Sequence, residues 1–469
     1  MKILLTRPAV ETRPGFRFPL GLGYIAAVLV KAGHEVDILD LDMLRLSKDQ
    51  AEDEIKNYKY DIFGLSSLTA QYRDMKWMIS ISKKWHPEAL VVIGGAGPSS
   101  MPEFMITHTK ADIVVLREGE ETIIGLLTAL EEKKSLDNVK GILYKKEDGS
   151  FAVTSVRERI SNLDIIPFPE WNLFDMKEYS SQISFASRRG AKSMVMITSR
   201  GCPFNCAFCF RDFGRRTIFR SARNVVDEIK KLKDKYDIEY ISFLDELFTA
   251  SGERVKEICD RLIDERIKIK WDCRSRVDSV EEGILKKMKA AGCVYMSYGI
   301  ESASDKILKN MDKGIKIDEI RKAITISRKV GIKISGSFMI GMTGETEETF
   351  QATVNFIKEM NMHKNYGFFY TTPFPGTKLF EEAIAKKLIP DIEQYIMDLG
   401  ETHFKPFINL SNLPFERLSV LKTEADKEIE KDYKNKNPFW PWVYLTERYR
   451  LYGFLGLFKK VFKKIRKTS

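Results

Sequence analysis

Residues 199–210 read "SRGCPFNCAFCF", and this stretch places Cys202, Cys206 and Cys209 in a CxxxCxxC spacing. The chain has six cysteines in 469 residues, and half of them lie in this short stretch. A glycine, a proline and an asparagine before and between them predict an irregular loop that follows a strand. The three thiols therefore need not point into a hydrophobic core, and they are candidates to bind one shared ligand.

Three thiolates on one tight loop suit a 4Fe–4S cube, in which they hold three irons and leave the fourth iron open. A structural zinc site takes four protein ligands, and no histidine or fourth cysteine lies nearby in a matching pair. Cys259, Cys273 and Cys293 are scattered over predicted helix and strand. Zinc with a distant ligand and three ordinary core cysteines stay open as alternatives on this pattern alone.

The bulk composition bounds the class of protein. The length predicts two or three domains at roughly 150 residues each, and 43% apolar with 30% charged residues is typical of a soluble globular chain. The start "MKILLTRPAV" predicts a buried strand rather than a signal peptide, so we expect a cytoplasmic protein with reduced thiols. The net charge is +10, but six positive charges lie within 459–467. The body is only mildly basic, which argues against nucleic acid as the partner.

The pattern along the chain predicts four regions. Residues 1–140 alternate strand and helix, which indicates a parallel sheet covered by helices. Residues 141–190 hold a hairpin that turns near Asp148–Gly149 and an extended linker with prolines. Residues 191–410 resume the alternation as an open, partial barrel of six strands, and 411–469 form a helical region with a basic tail. The six strands are predicted at Met194–Thr198, Tyr240–Leu244, Lys268–Asp272, Val294–Gly299, Lys333–Ile340 and Asn365–Tyr370.

The cysteine motif and the segments after it resemble the radical S-adenosylmethionine (SAM) superfamily. The segments "ISFLDELFT", "KWDCRSRVD", "YMSYGIESAS", "SGSFMIGMTGET" and "FFYTTPFPGT" follow in the order of that family's strands. In that family SAM chelates the open iron, and one electron cleaves it to methionine and a 5′-deoxyadenosyl radical. The radical abstracts hydrogen from an unactivated carbon. The resemblance thus implies Cys202, Cys206 and Cys209 as the cluster ligands and catalytic centre.

The resemblance also implies SAM-contacting residues. Asp245 or Arg276 alone would be an ordinary surface ion-pair residue that stabilises the fold by under about 1 kcal/mol. Only its position at a strand end makes it a candidate for SAM contact. Glu301 matches a position at the SAM ribose or amino group, and Lys313 a basic position near the SAM carboxylate. The full set of implied positions is Phe208, Asp245, Glu246, Arg276, Glu301, Lys313 and Ser337.

Residues 1–140 resemble the cobalamin-binding domain that precedes many radical SAM domains. The segments that carry this resemblance are "FPLGLGYIAAVLVKAGHEVDILD", "GLSSLTAQ", "VVIGGAGPSSMPE" and "DIVVLREGEET". Glycines permit close backbone approach at a strand end, although tight turns explain them equally well. The pattern is not GxGxxG, which disfavours a nicotinamide cofactor. The candidate cobalamin contacts are Ser66, Ser67, Thr69, Gln71, Tyr72, Gly94, Gly95, Gly97, Pro98, Glu118, Gly119 and Glu120.

The chain departs from the best-known cobalamin domains, whose DxHxxG motif supplies a histidine to cobalt. His34 lies in "AGHEVD", a predicted helix-to-strand turn, and the usual "GEGE" begins with Arg117. We expect cobalamin to bind without a protein histidine on cobalt, and Thr69, Gln71 and Tyr72 are the candidates for the cobalt's lower face. Some fused members of the group have lost cobalamin.

The resemblance implies an α/β fold with an N-terminal Rossmann-like cobalamin-binding domain, a partial (β/α)6 TIM barrel and an α-helical C-terminal extension. It implies a cobalamin-dependent methyltransferase acting on an unactivated carbon of a small-molecule or lipid-like substrate, with flavodoxin or ferredoxin as electron donor. Radical cyclisation or rearrangement without methyl transfer is one alternative, and a non-catalytic cobalamin or cluster sensor is another. A methylthiotransferase is disfavoured because a second cysteine triplet is absent.

The C-terminal tail shows apolar residues at helical spacing with lysines between them. Such a basic amphipathic helix predicts contact with a membrane surface, which would place the protein peripherally at a membrane. A helix docked on the barrel with solvated lysines is the alternative, and RNA binding is a weaker third. The stripe consists of Phe454, Leu457, Phe458, Val461, Phe462 and Ile465.

Overall fold

A computed structural model describes residues 1–9, 17–181, 191–401 and 406–439. Two sheets organise this part of the chain, one of seven strands and one of six. The apolar stripe of the tail lies outside the described residues. Within them, no helix combines the length and apolarity required to cross a bilayer.

The first sheet has the strand order β2-β1-β3-β4-β5-β6-β7. Its first five strands are parallel, and their apolar residues are buried because helices cover both faces. The order 2-1-3-4-5 is a doubly wound arrangement whose direction switches between β1 and β3, where such sheets bind ligands. The predicted hairpin is present and pairs with β5, so it extends this sheet. The strands are β1 (Lys2–Arg7), β2 (Glu35–Asp40), β3 (Ile62–Ser66), β4 (Leu90–Gly94), β5 (Ile113–Val115), β6 (Ile142–Lys145) and β7 (Phe151–Val153).

The helices around the first sheet follow local sequence signals. Ser47 and Gln50 form a capping box at the start of α3. Met75, Met78 and Ile79 form a buried stripe on α4 at three- and four-residue steps. The helices are α1 (Leu20–Lys31), α2 (Leu41–Leu44), α3 (Lys48–Asn57), α4 (Tyr72–Trp85), α5 (Ala96–Ser100), α6 (Pro102–His108), α7 (Glu120–Glu131) and α8 (Met176–Ser181).

The second sheet has the order β15-β14-β13-β12-β11-β8, and all its pairs are parallel. In the described part of the chain no pairing joins β8 to β15, so the predicted open, partial barrel is confirmed. A short antiparallel hairpin, β9 with β10, flanks the cysteine loop and was not predicted. The strands are β8 (Ser193–Met196), β9 (Ser199–Arg200), β10 (Ile218–Phe219), β11 (Tyr240–Phe243), β12 (Lys270–Ser275), β13 (Cys293–Glu301), β14 (Lys333–Ile340) and β15 (Tyr366–Tyr370).

Helices cover the outside of the barrel. Ser221 caps α9 by accepting from the backbone N–H of Asn224, and Val225, Ile229 and Leu232 bury its inner face. The charged helix predicted after residue 410 is α17, which packs along α14. The helices of this region are α9 (Ala222–Tyr236), α10 (Gly252–Asp264), α11 (Glu282–Ala290), α12 (Asp305–Asn310), α13 (Ile317–Val330), α14 (Glu347–Glu359), α15 (Lys378–Ala385), α16 (Ile392–Asp398) and α17 (Phe415–Lys436). Of these, α16 packs against α4 of the first domain.

Candidate active site

The three predicted cluster cysteines lie on the loop between β9 and β10, and all three are free thiols. Cys206 is buried, Cys202 is half-buried and Cys209 is exposed. The Cys202 backbone N–H donates to Gly214 at 3.3 Å, which closes the loop on itself. Gly201 adopts φ +96°, and a Cβ there would lie 2.4 Å from the carbonyl oxygen of Arg216. Only glycine fits that position, so the sequence fixes the start of the loop.

The donor set fits an iron–sulfur cluster. Among the described residues, no three histidine, cysteine or acidic side chains converge on a point that could hold a single metal ion. A 4Fe–4S cube does not require such convergence, because each cysteine binds a different iron. Burial raises the pKa of the Cys202 thiol, so cluster binding has to displace its proton.

Arg276 lies against the cysteine loop. Its Nη1 donates toward Cys206 Sγ at 3.7 Å, and its guanidinium lies 3.5 Å from the ring centre of Phe204. Asp278 holds the guanidinium by two hydrogen bonds of 2.9 and 2.8 Å, and Nη2 also donates to the Lys313 carbonyl at 2.7 Å. The structure thus places a buried cation beside the Cys206 sulfur.

A buried ion pair stands at the carboxyl end of β13. Glu301 accepts from Lys313 Nζ at 3.0 Å and from Ser337 Oγ at 3.3 Å. Lys313 Nζ also lies 5.4 Å from the ring centre of Phe208 on the cysteine loop. A Cβ at Gly299 would lie 2.6 Å from Glu301 Oε1, so the absent side chain leaves room for the pair. The structure thus brings Phe208, Glu301, Lys313 and Ser337 together.

The two acids at the end of β11 differ in environment. Asp245 is buried and accepts from Thr198 N at 3.1 Å, Thr198 Oγ1 at 2.6 Å and Ser199 Oγ at 2.5 Å. The carboxylate thus holds the β8–β9 connection, and its contact with SAM stays a prediction. Glu246 reaches solvent, although desolvation by the surrounding protein raises its pKa to about 7.

The glycine-rich end of β4 lies against the end of β3, as the sequence predicted. Gly95 adopts φ +95°, and a Cβ there would lie 2.9 Å from the Ser67 carbonyl oxygen and 3.0 Å from Ser66 Oγ. A Cβ at Gly97 would lie 2.7 Å from the backbone carbon of Leu68. The structure therefore assembles a narrow backbone edge from Ser66, Ser67, Gly94, Gly95, Gly97 and Pro98.

Two hydroxyls of this edge have partners within the protein. Ser67 is buried and its Oγ lies 2.9 Å from Met75 Sδ. Thr69 is buried as well, with its Oγ1 3.5 Å from Ser100 Oγ. Ser66 is only half-buried, which leaves it the most accessible of the three hydroxyls for a ligand.

Gln71 and Tyr72, which were predicted at the lower face of cobalt, both have partners within the protein, and their role there stays a prediction. Gln71 is buried, donates to the Pro8 carbonyl at 2.7 Å and accepts from Leu68 N at 2.8 Å. Tyr72 is fully buried, and its hydroxyl donates to Glu393 at 3.0 Å. Neither side chain is open to a cofactor. Leu68 is 48% exposed and is the apolar side chain that this loop presents to solvent.

Glu118 and Glu120, which were predicted as cobalamin contacts, have a partner in the barrel. Both are buried, and they accept from Arg200 at 3.0 and 2.5 Å, respectively. Gly119 lies between them, where a Cβ would lie 3.0 Å from Ile25 Cδ1. The motif therefore contacts β9 of the barrel, and its contact with cobalamin stays a prediction.

Sequence reasoning missed Arg200 and Asp212. An arginine on a short, buried strand is a signal for an ion pair, because a charge is rarely buried alone. Asp212 has a buried Oδ1 without a partner among the described residues, and burial raises the pKa of its carboxyl to about 6. No pattern in the sequence marks Asp212, because its environment is created by contact between the two domains.

A doubly wound domain followed by a partial barrel with three free cysteines agrees with the resemblance to radical SAM enzymes that carry a cobalamin-binding domain. Family models agree: residues 196–357 match the radical SAM superfamily and residues 6–127 match the B12 binding domain. The chain belongs to the radical SAM superfamily, in the methyltransferase-like group that carries a B12 binding domain. The predicted family, fold class and enzymatic character are therefore confirmed, and the three predicted cofactors, a 4Fe–4S cluster, SAM and cobalamin, agree with the two domains.

Several known proteins are similar to the chain. An uncharacterized methyltransferase of Pyrococcus horikoshii is 34% identical over 440 residues, which are 91% of each chain. An anaerobic magnesium-protoporphyrin IX monomethyl ester cyclase of Rubrivivax gelatinosus is 29% identical over 80% of this chain and 68% of its own. Among solved structures, the radical SAM methyltransferase TsrM of Kitasatospora setae, with cobalamin and a [4Fe-4S] cluster bound, has a TM-score of 0.70 at 21% identity. That match covers 83% of this chain and 78% of TsrM.

Proposed function

We propose that this protein transfers a methyl group to a carbon atom of a small-molecule substrate, using a 4Fe–4S cluster, SAM and cobalamin. The single observation that carries the proposal is the convergence of the cysteine loop with the buried Glu301–Lys313 pair, in a chain that also has a B12 binding domain. When bound, the cluster supplies one electron to SAM and cobalamin carries the methyl group.

The chain's own residues suggest how SAM is held. Lys313 carries a buried positive charge 5.4 Å from the ring centre of Phe208. This charge suits binding of the SAM carboxylate. Glu301 and Ser337 offer oxygen atoms to an amino group or a ribose hydroxyl. Arg276 places a buried positive charge beside the Cys206 sulfur. Each of these groups is buried or half-buried, so little reorganisation is required on binding.

The backbone edge at Gly95 and Gly97 is the proposed cobalamin site. Side chains are absent there, and Ser66 stands beside it as a half-buried hydroxyl. Leu68 takes the place of Gln71 and Tyr72 as the proposed neighbour of the cofactor's lower face, because it is the accessible side chain of that loop. A neutral, apolar neighbour offers no ligand to cobalt, which agrees with the absence of DxHxxG.

The barrel interior favours a substrate with polar groups. Alternate residues of β12 point away from the covering helices, and Asp272 among them accepts from Ser242 at 2.6 Å and Tyr240 at 2.7 Å. On the next strands, Ser335 donates to Ser297 at 3.3 Å. Hydroxyls and a carboxylate on this face suit a small polar molecule better than a lipid chain. A lipid-like substrate is the alternative that substrate profiling would reveal.

The products of the reaction test the proposal. Anaerobically reconstituted protein with SAM and reductant should form both S-adenosylhomocysteine and 5′-deoxyadenosine, together with a methylated product. Formation of 5′-deoxyadenosine alone would instead support radical cyclisation or rearrangement. That second function is favoured by the similarity to a cyclase over 80% of this chain. Failure to cleave SAM at all would leave the sensor hypothesis. The electron donor and the membrane contact of the tail stay predictions.

A further inference from the structure

Arg200 connects the two domains. Its side chain begins on β9, two residues before Cys202, and ends among side chains of the first domain. Nη1 donates to Glu118 Oε1 at 3.0 Å, and Nη2 donates to Glu120 Oε1 at 2.5 Å. All three side chains are between 5% and 7% exposed, so their charges are removed from water.

Further contacts fix the same guanidinium from both sides. It lies 5.6 Å from the ring centre of Tyr24 on α1 and 5.2 Å from that of Phe213, which follows the cysteine loop. Arg159, which follows β7, donates to the Arg200 carbonyl at 3.1 Å. Side chain and backbone of this residue are therefore both held by groups from outside the barrel.

Buried charges need not add stability, because the loss of hydration offsets much of their attraction. Their strict geometry instead restricts how two parts of a protein can be placed. We propose that Arg200 is a positioning residue, which sets the cysteine loop at a fixed place relative to the ligand-binding edge of the first sheet. This inference rests on the proposed function, in which those two places hold the cluster and cobalamin. It assigns Glu118 and Glu120 to domain placement rather than to cofactor contact.

Loss of this positioning should affect methyl transfer more than SAM cleavage. The Glu301–Lys313 pair and the cysteine loop belong to the barrel, so SAM cleavage depends on one domain. Methyl transfer requires groups from both domains within reacting distance, and a misplacement of about 1 Å can cost about a hundredfold in rate. Loss of Arg200 should therefore separate the two activities.

A first test needs no cofactor. Spin labels carried by noncanonical residues at the exposed positions Lys110 and Lys256 report the distance between the domains by pulsed EPR. Arg200→Met should broaden the distance distribution. The double variant Glu118→Gln with Glu120→Gln should broaden it as well, although its side chains keep the size of the originals. Glu228→Gln is the matched control, because it alters the buried Arg220–Glu228 pair, 2.5 Å apart, which lies within the barrel. An unchanged distribution in both interdomain variants would overturn the proposal.

A second test uses the loaded enzyme. Arg200→Met should lower the ratio of methylated product to 5′-deoxyadenosine by about tenfold or more. Arg200→Lys should recover part of that ratio, since it restores a charge but not the two-pronged contact. A proportional loss of both products, with the ratio unchanged, would indicate a merely structural role and overturn the proposal. If wild-type protein cleaves no SAM, the proposed function fails, and the EPR distances alone decide the role of Arg200.

Discussion

Glu301 and Lys313 form a buried ion pair 3.0 Å apart, with the lysine arriving from the turn after α12. Glu301 holds φ +68°, a left-handed conformation that is uncommon for a residue with a side chain. Strained backbone and a desolvated pair both cost free energy, and such features concentrate at functional sites. We therefore expect ligand binding to depend on the geometry of this pair.

Gly299→Ala tests that geometry. The new Cβ would lie 2.6 Å from Glu301 Oε1 and 3.0 Å from Lys313 Nζ, so the carboxylate has to move. We expect SAM affinity, measured by equilibrium dialysis, to fall by about tenfold, which corresponds to about 1.4 kcal/mol. Gly283→Ala is the control, since nothing lies within 4 Å of its new Cβ on α11. Equal affinities in the two variants would contradict the role of the pair.

Replacement of the cluster cysteines tests the donor set. Cys202→Ala, Cys206→Ala and Cys209→Ala should each remove most of the iron and the SAM cleavage after anaerobic reconstitution, because a cube needs all three thiolates. Cys259→Ala removes a fully buried thiol from α10 and should lower thermal stability while iron content stays at the wild-type level. Retained iron in all three loop variants would remove the cluster assignment.

Gly95→Ala tests the proposed cobalamin edge. Its Cβ would lie 2.9 Å from the Ser67 carbonyl oxygen, and the backbone at φ +95° disfavours any side chain. Visible absorption during titration should show that cobalamin binding weakens by about tenfold, or about 1.4 kcal/mol. Gly33→Ala carries a similar strain at φ +87° but meets nothing within 4 Å. It should lose stability yet bind cobalamin normally, and a matching loss of binding would count against the site.

The strands were predictable because their apolar residues alternate with small and polar ones. The prediction Lys333–Ile340 agrees with β14 residue for residue, and Tyr240–Leu244 differs from β11 by one position. The prediction Lys268–Asp272 missed the end of β12, which continues to Ser275 because Arg274 and Ser275 pair with Ser297 and Tyr298. Pairing partners far apart in sequence leave no trace in the local pattern.

The site was predictable only where a residue's role follows from its own chemistry. The spacing of the three cysteines predicts metal ligands, whereas the role of Lys313 near the SAM carboxylate is implied by the family resemblance. Asp245 and Glu118 look equally suited to bind a ligand. Asp245 instead accepts a hydrogen bond from Thr198, 47 residues away in sequence, and Glu118 accepts one from Arg200, 82 residues away. Which acid is left for a ligand depends on tertiary contacts, and no periodicity encodes them.

Glu345 gives the barrel a pH-dependent stability. Burial raises the pKa of its carboxyl from 4.5 to about 7, although the backbone N–H groups of Gly341 and Met342 oppose the shift. Above about pH 4.5 the unfolded chain loses this proton while the folded chain keeps it until about pH 7. The contribution of Glu345 to the free energy of unfolding therefore falls across this window, by about 3 kcal/mol in total.

Glu345→Gln should abolish that contribution, because a carboxamide does not titrate. In urea denaturation of apo protein, the free energy of unfolding of the variant relative to wild type should rise from pH 5 to pH 8. The carboxamide oxygen of the variant can still accept from the Gly341 N–H, which donates to Glu345 at 2.6 Å in the wild type. Glu348→Gln changes an exposed glutamate on α14 and should leave the wild-type pH dependence intact. If the difference in free energy of unfolding between Glu345→Gln and wild type stays constant from pH 5 to pH 8, the Glu345 carboxyl has the same pKa in the folded and unfolded chains.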